Sequence, residues 1–384
     1  MNKAFHLMAF CLTAVSAACG QPDEGATSVT LEGAPQSVNP TPILELGGEA
    51  DDPSQTFYQV RAPVLFTDGR VAVPLGSENL IRVFDGDGAL VEDLGGEGEG
   101  PGEFAFLSSA WSRGDTVEAA DGQLRRITRF GPDGAVEMIR LQGDVSAETS
   151  PPGALPNGWV AGGVTQIEMN SRDQVTLYGF SRDGEPLGEV ARTEGIHRIA
   201  VDGGSGVHPL SPRGVVQIGD GRIYVGETMS PRIRVLDLDG TVVRDITWEI
   251  ADTVDPETAM GEVREAPDPL PTFEHLLDGA PTPDRVSVFW DFLVDELGFI
   301  WVEPYDPTAH AAALGGLGSG DYLTSPGGGT EGPWLILSPT GEVAGHMEIP
   351  QRLRPTQITT DRVVGIHVDS LGIESVQVHT LSRE

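Results

Sequence analysis

Apolar residues along the chain either alternate with polar ones or stand together in short runs, and Gly, Asp and Pro separate the runs; helical periodicity is scarce. Such runs read as half-buried or buried strands. They recur. IRVFDGDGALV places Gly88, RITRFGPDGAV places Gly134 in the same register, TLYGFSRDGEPL places Gly184, IRVLDLDGTVV places Gly240 and LILSPTGEV places Gly341. Ahead of each Gly, in the same position, stands Phe84, Phe130, Phe180, Leu236 or Leu337. A second run precedes each: GRVAV from Gly69, DTVEA from Asp115, GWVAG from Gly158, GRIYV from Gly221, GFIWV from Gly298 and DRVVG from Asp361.

Turns of the Asp-Gly kind join consecutive strands into antiparallel pairs. The first four glycines follow one another at roughly 50 residues, the length of a four-stranded propeller blade. The predicted fold is all-β, a six-bladed β-propeller. The interval from Gly240 to Gly341 is about two blades long but carries only the strand set around Gly298. It reads as one blade with a small, partly helical insertion at about 250–287; a seventh, degenerate blade is the alternative. Asp255-Pro256-Glu257 is the expected helix start, with Asp capping and Pro in the first turn. The last unit runs out of chain after its third strand. PILELGGEA near residue 45 repeats VEDLGGEGE near residue 93, so the N-terminal strand is expected to close the last blade and remove its open edge.

The segments IRVFDGDG, LGGEGEGPGEF, DELGFIWV and DSLGIESVQV resemble those of NHL-like six-bladed β-propeller lipoproteins of bacteria, over about residues 42 to 382. The resemblance implies the fold and says little of activity, because related propellers bind, scaffold or catalyse.

The start, MNKAFHLMAFCLTAVSAACG, has one early positive charge, an apolar run and small residues before Cys19. It reads as a signal peptide, residues 1–18. Ser16-Ala17-Ala18-Cys19 resembles a lipobox, with Ser16 where Leu is usual. Lipidation at Cys19 is expected, with ordinary cleavage after Ala18 as the alternative. Residues 19–40 are polar and aperiodic and are expected to form a lipidated flexible tether, with the propeller over 41–384. Removal of the signal leaves one Cys, so no internal disulfide is expected. The localisation implied is exported and in the cell envelope, on the outer-membrane, periplasmic or surface side, with membrane contact only through the N-terminal lipid.

Charge narrows the function classes. Arg and Lys number 24 against 58 acidic residues, and Lys3 is the only lysine. A Schiff-base lysine and a phosphate-loop lysine are excluded in the mature chain. An excess of negative charge argues against nucleic acid and against docking on an anionic membrane face. A saline habitat is the bland source of the same excess.

The glycine-rich stretch Gly95 to Phe104 lacks the third glycine of a dinucleotide loop, and three glutamates would repel phosphate. It is read as a turn between blades, with Phe104 packed between them. Strand order puts the loops after second strands and the loops into first strands on one face. There, Glu78, Asp121, Glu227, Glu303 with Asp306, Asp369 after His367, and Glu97, Glu99 and Glu103 predict an acidic channel mouth. Asp121, Glu227, Glu303 and Asp369 are the candidate metal ligands, for calcium or another divalent cation; a solvated acidic rim is the competing reading. No catalytic residue is assigned. His197, His208, His275, His310, His346, His367 and His379 show no metal-ligand spacing. Trp111, Trp159, Trp248, Trp290, Trp301 and Trp334 are expected to wedge between blades, and Arg82 and Arg234 to face solvent. The expected function is binding of a small-molecule or protein partner by a monomer. A divalent-metal-dependent hydrolase or lyase of the gluconolactonase-like type is the alternative.

Overall fold

The computed structural model describes residues 32–48, 52–143, 150–201, 204–250, 253–266, 277, 279–315 and 332–383. The signal segment, Cys19 and His275 lie outside them. Among the described residues no helix is long and apolar enough to cross a membrane.

The described residues form six antiparallel sheets. It enters through β1 (Pro35–Val38) and β2 (Leu44–Gly47). Blade 1 holds β3 (Val64–Leu65), β4 (Val71–Leu75), β5 (Leu80–Phe84) and β6 (Leu90–Gly95). Blade 2 holds β7 (Leu107–Arg113), β8 (Thr116–Asp121), β9 (Arg126–Phe130) and β10 (Val136–Arg140). Blade 3 holds β11 (Ser150–Leu155), β12 (Gly158–Gln166), β13 (Ser171–Ser181), β14 (Pro186–Val201) and an extra edge strand, β15 (Gly204–Val207). Blade 4 holds β16 (Gly214–Gly219), β17 (Arg222–Glu227), β18 (Arg232–Leu236) and β19 (Val242–Thr247). Helix α1 (Pro256–Glu265) precedes blade 5, which holds β20 (Phe292–Val294), β21 (Ile300–Val302), then helix α2 (Pro307–Gly315), β22 (Trp334–Leu337) and β23 (Val343–Met347). Blade 6 holds β24 (Leu353–Ile358), β25 (Arg362–Val368) and β26 (Glu374–Arg383).

First strands of successive blades touch one another, β3 with β7, β7 with β11, β11 with β16, β16 with β20 and β20 with β24, so they are the inner strands. The core lies between blades. Val73 and Phe84 of blade 1 pack with Val364 and Ile366 of blade 6, and Tyr224 and Ile233 of blade 4 pack with Phe292 and Ile300 of blade 5.

The repeat is a turn. Gly88, Gly134, Gly184, Gly240 and Gly341 all have φ between 78° and 94°, the left-handed region that glycine adopts without a Cβ clash. Phe84, Phe180, Leu236 and Leu337 sit beside register shifts of the bulge kind and are at most 1% exposed. The turn thus re-aims the chain while its apolar residue fills the blade interface.

Closure occurs as expected and goes further. β2 pairs with β26 from Leu44↔Val378 to Gly47↔Ser375. β1 extends the same edge, with Pro35↔Arg383 and Val38↔Leu381. Ala34 and Val38 are buried with Trp301 and Trp334, so the stretch expected as tether up to residue 40 already belongs to the fold from about residue 34. The helix start at Asp255 is present, and the Asp255 carboxylate accepts from the Thr258 N–H at 3.0 Å. The long interval in blade 5 divides between two insertions, one carrying α1 and one, between β21 and β22, carrying α2. Only the first was expected.

Candidate functional site at the capped mouth

The propeller has two unlike faces. On one lie the tight turns from first to second and from third to fourth strands. On the other lie the loops into first strands and those between second and third strands. Both insertions fold onto this second face. Met260 and Val263 of α1 and Ala311 of α2 form one apolar cluster with Ile199 and Leu210 of blade 3 and its exit. The result is a helical cap on the side of blades 3 to 5.

Beneath the cap lies buried charge. Arg213, just before β16, and Asp291, just before β20, are 1% and 5% exposed and pair at 2.6 Å. Burial pushes the Asp291 carboxyl up; Arg213 pulls it down, Glu303 adds to the upward push, and the net is a raised pKa. The Arg213 guanidinium carbon sits 4.7 Å over the Trp290 ring. Trp290 stacks on His310 with centroids 4.0 Å apart and planes 9° from parallel, and Tyr305 stacks on the same imidazole at 5.4 Å.

The cap fixes the state of His310. The Asp306 carboxylate accepts the Thr308 and Ala309 N–H groups at the start of α2. The Asp306 N–H donates to His310 Nδ1 at 3.0 Å, which leaves the ring proton on Nε2. Burial lowers the His310 pKa to about 3. Its Nε2 lies 3.8 Å from Glu303 Oε1, too far for a hydrogen bond. Trp290 Nε1, Tyr305 Oη and His310 Nε2 are three buried polar atoms without a hydrogen-bond partner among the described residues.

Opposite the cap, Arg354 of β24 lies within electrostatic reach of Glu374 of blade 6, Glu303 of blade 5 and Arg61 at the entry to blade 1. Burial lowers its pKa. The Glu374 carboxylate accepts the Val60 N–H at 2.9 Å. The mouth is therefore of mixed charge, with guanidiniums inside an acidic protein, rather than the acidic ring expected.

The four candidate metal ligands are not brought together: among the described residues no group of three or more His, Cys, Asp or Glu side chains is placed to hold a metal ion. The Asp121 carboxylate accepts the Ala105 and Leu124 N–H groups, both at 2.8 Å. Asp369 accepts Leu371 and Ile373 N–H, both at 2.8 Å, within its own turn. Glu227 lies near Arg172 and Arg232. Glu303 alone belongs to the buried cluster, 1% exposed. Glu78 pairs with Arg82 at 3.0 Å. His197 and His208 stack at 5.4 Å, and burial lowers both of their pKa values.

The stretch from Gly95 to Phe104 is a turn between blades. Phe104 is fully buried among Ile81 and Val83 of blade 1 and Leu107 and Phe130 of blade 2. Gly95 has φ +94°, and a Cβ there would stand 2.5 Å from the Phe104 ring. The Arg126 guanidinium donates to the carbonyls of Glu99, Gly100 and Glu103. Of the six tryptophans, Trp159, Trp248, Trp290, Trp301 and Trp334 are buried, and Trp111 packs half-buried against the cluster of Trp159.

No protein-family model and no curated protein matches the sequence. Among solved structures, the chain is similar to a member of the DUF4221 family from Bacteroides vulgatus, at 12% identity and TM-score 0.51, over 91% of this chain and 99% of that one. A protein from Bacteroides fragilis described provisionally as exported gives 11% identity and TM-score 0.49, over 89% and 94%. A gluconolactonase from Xanthomonas campestris gives 14% identity and TM-score 0.45, over 85% and 87%. At such identities the likeness concerns the fold alone, and the fold is a six-bladed β-propeller.

Proposed function

We propose that this protein is an exported, lipid-anchored propeller that binds a small polar ligand at the capped mouth and performs no chemistry on it. The observation that carries the reading is the trio of buried, unpartnered polar atoms at Trp290 Nε1, Tyr305 Oη and His310 Nε2. A buried donor without an acceptor costs about 1–3 kcal/mol, and a bound ligand relieves that cost. The insertion after β21 brings Tyr305, from the loop before α2, and His310, from α2 itself, onto the third, Trp290. The mixed charge of the mouth supports an organic ligand over a bare divalent cation, because guanidiniums stand among the carboxylates that a cation would need.

Anchoring rests on the lipobox-like Ser16-Ala17-Ala18-Cys19. One acyl chain gives marginal membrane binding and two or more give stable anchoring. Cys19→Ser is expected to release a folded propeller from membranes, and intact mass spectrometry of the wild type to show a lipidated Cys. An unmodified protein confined to the soluble fraction would refute the anchor. For the site, thermal melts against a library of polar small molecules are expected to reveal saturable stabilisation, since a ligand of the native state stabilises by mass action. Robust turnover of lactones, esters or phosphodiesters by the purified protein would overturn the binding reading in favour of an enzyme.

A further inference from the structure

Arg354 is unlike the other guanidiniums of the mouth. Arg213 is paired with Asp291, Arg198 with Asp173 at 2.8 Å and Arg172 with Glu194. Arg354 makes no side-chain hydrogen bond and no ion pair among the described residues, and its Nε is buried without a partner. It sits on an inner strand, half-buried, between Leu353 and Pro355, which are buried. Its opposite charges are at a distance and engaged: Glu374 holds the Val60 N–H, and Glu303 lies against His310 across the mouth. A second guanidinium, Arg61, adds positive charge beside it.

A half-buried guanidinium with no counter-ion in contact is an unfavourable arrangement by itself. The Nε and one terminal nitrogen of an arginine form a planar fork that matches a carboxylate, with two parallel charge-assisted hydrogen bonds. The fork's Nε lies at the inner strand of blade 6. The aromatic trio lies across the mouth under the cap, and Glu303, 3.8 Å from His310 Nε2, is within electrostatic reach of Arg354. A ligand spanning the two presents an anionic end to the arginine and a polar body to the cap.

We infer that the ligand of the capped mouth is a small organic carboxylate, anchored by Arg354 and covered by the Trp290, Tyr305 and His310 stack. This rests on the binding reading above and names the class of molecule bound. The carboxylate end lies toward blades 6 and 1, at Arg354 of β24. Its body lies toward Tyr305 and Trp290, and His310, kept neutral by burial and with Nδ1 occupied by the Asp306 N–H, receives an acceptor through Nε2–H.

The test is a thermal-melt titration of the purified full chain with acetate, succinate, benzoate and galacturonate, each run beside its neutral counterpart acetamide, succinamide, benzamide or galactose. At least one carboxylate is expected to raise the melting midpoint saturably while its neutral counterpart does not. Arg354→Gln should abolish the effect. Arg354→Lys, which keeps the charge and loses the fork, should weaken affinity roughly tenfold. Arg234→Gln, on β18 away from the mouth, should leave the effect unchanged. Circular dichroism of each variant separates loss of binding from loss of fold, and the lysine variant carries the test if the glutamine variant does not fold. Equal stabilisation by a carboxylate and its neutral counterpart, or a carboxylate effect that survives Arg354→Gln, overturns the carboxylate assignment while the binding reading stands. Absence of any shift with every carboxylate overturns the assignment as well, and the binding reading is then judged separately by the neutral compounds.

Discussion

The two faces of the propeller use the same residue types for opposite ends. On the turn face, polar groups serve their own turns. Asp85 accepts the Asp87 and Ala89 N–H groups, Ser181 accepts those of Asp183 and Glu185, and Ser338 accepts those of Thr340 and Glu342. Asp295 does the same for Leu297 and Phe299. In each of these turns the leading side chain takes two N–H groups within five residues; Asp295 adds a pairing across blades, with Arg383 of blade 6 at 2.7 Å. On the loop face, charges are paired across blades, as in Arg213 with Asp291, and insertions break the repeat. The turn face builds the fold, and the loop face departs from regularity at the cost of buried polar atoms. Such departures from local consistency concentrate at functional sites.

The largest effect should come from the element that joins the faces. β1 and β2 run along one edge of β26 from the turn face to the loop face. His379 Nδ1 contacts the Asn39 carbonyl at 2.8 Å, and Gln377 Nε2 donates to Glu45 at 2.9 Å. Deleting residues 33–48 removes both strands and exposes the edge of blade 6. Aggregation, or a melt without a cooperative transition, is expected. Deleting residues 20–31 should leave the thermal midpoint of the propeller unchanged. If the two truncations melt alike, closure by the N-terminal segment is refuted.

Second in size is the buried pair of the loop face. Arg213→Met leaves the Asp291 carboxyl buried without its cation. A loss of about 3–5 kcal/mol is expected, read as a drop in the midpoint of chemical denaturation. Arg213→Met with Asp291→Leu should recover much of that loss, since two apolar residues leave no unpaired charge. A double variant as unstable as the single one would show that Arg213 matters through other contacts.

What could be read from the sequence follows the same division. The turn face was legible because its logic is local: a glycine at positive φ and an apolar residue four positions earlier recur with fixed spacing, so Gly88 and Phe84 announce a blade. Phe104 and the Gly95 turn lie on the loop face, between β6 and β7, and were legible because their logic too is local. The mouth was not. Arg213, the neighbours Trp290 and Asp291, and Arg354 come from three different blades, and no repeated spacing relates the three positions. Asp121 and Asp369 looked like ligands because a carboxylate in a loop carries no mark of whether its own backbone will claim it. The signals that were available are small. Asp291 interrupts the apolar run Phe289 to Val294, and Arg213 directly precedes the apolar start of β16. A charge placed there is costly unless paired, which points to a partner without naming it. The second insertion escaped notice because the glycine interval gave its total length with the first and not their division.

The third effect is a pH dependence confined to the loop face. His310 is buried and kept neutral, with its pKa lowered from 6.5 to about 3. A base whose folded pKa is depressed contributes stability that is complete above its unfolded pKa. That stability falls as pH drops from about 6.5 toward 3. The groups around the imidazole are Asp306, Arg213, Asp291 and Glu303. Between pH 6.5 and 4.5, before most carboxylates titrate, one such histidine removes about 1.4 kcal/mol per pH unit at most. His310→Gln should flatten the fall in melting midpoint over that window by about one proton. His197, His208 and His379 also have lowered pKa values through burial, so the wild-type slope should exceed one proton and the variant's should not vanish. An identical slope in wild type and variant would show that His310 is protonated, or accessible, in the folded protein.

The smallest effect belongs to a single turn. Asp85 accepts two backbone N–H groups at 3.0 Å and 2.9 Å, ahead of Gly88 at φ +86°. Asp85→Ala removes both acceptors from a half-exposed site where water can replace them. A loss of about 1 kcal/mol is expected, seen as a small drop in the denaturation midpoint with the slope unchanged. Because this turn closes on itself, the carboxylate-dependent shift assigned to Arg354 should keep its full size in the variant. The same substitution logic applied to Asp291 should disturb both quantities together. If Asp85→Ala weakened ligand binding as much as it weakened the fold, the faces would be coupled, and the division between a self-contained turn face and a ligand-bearing loop face would fail.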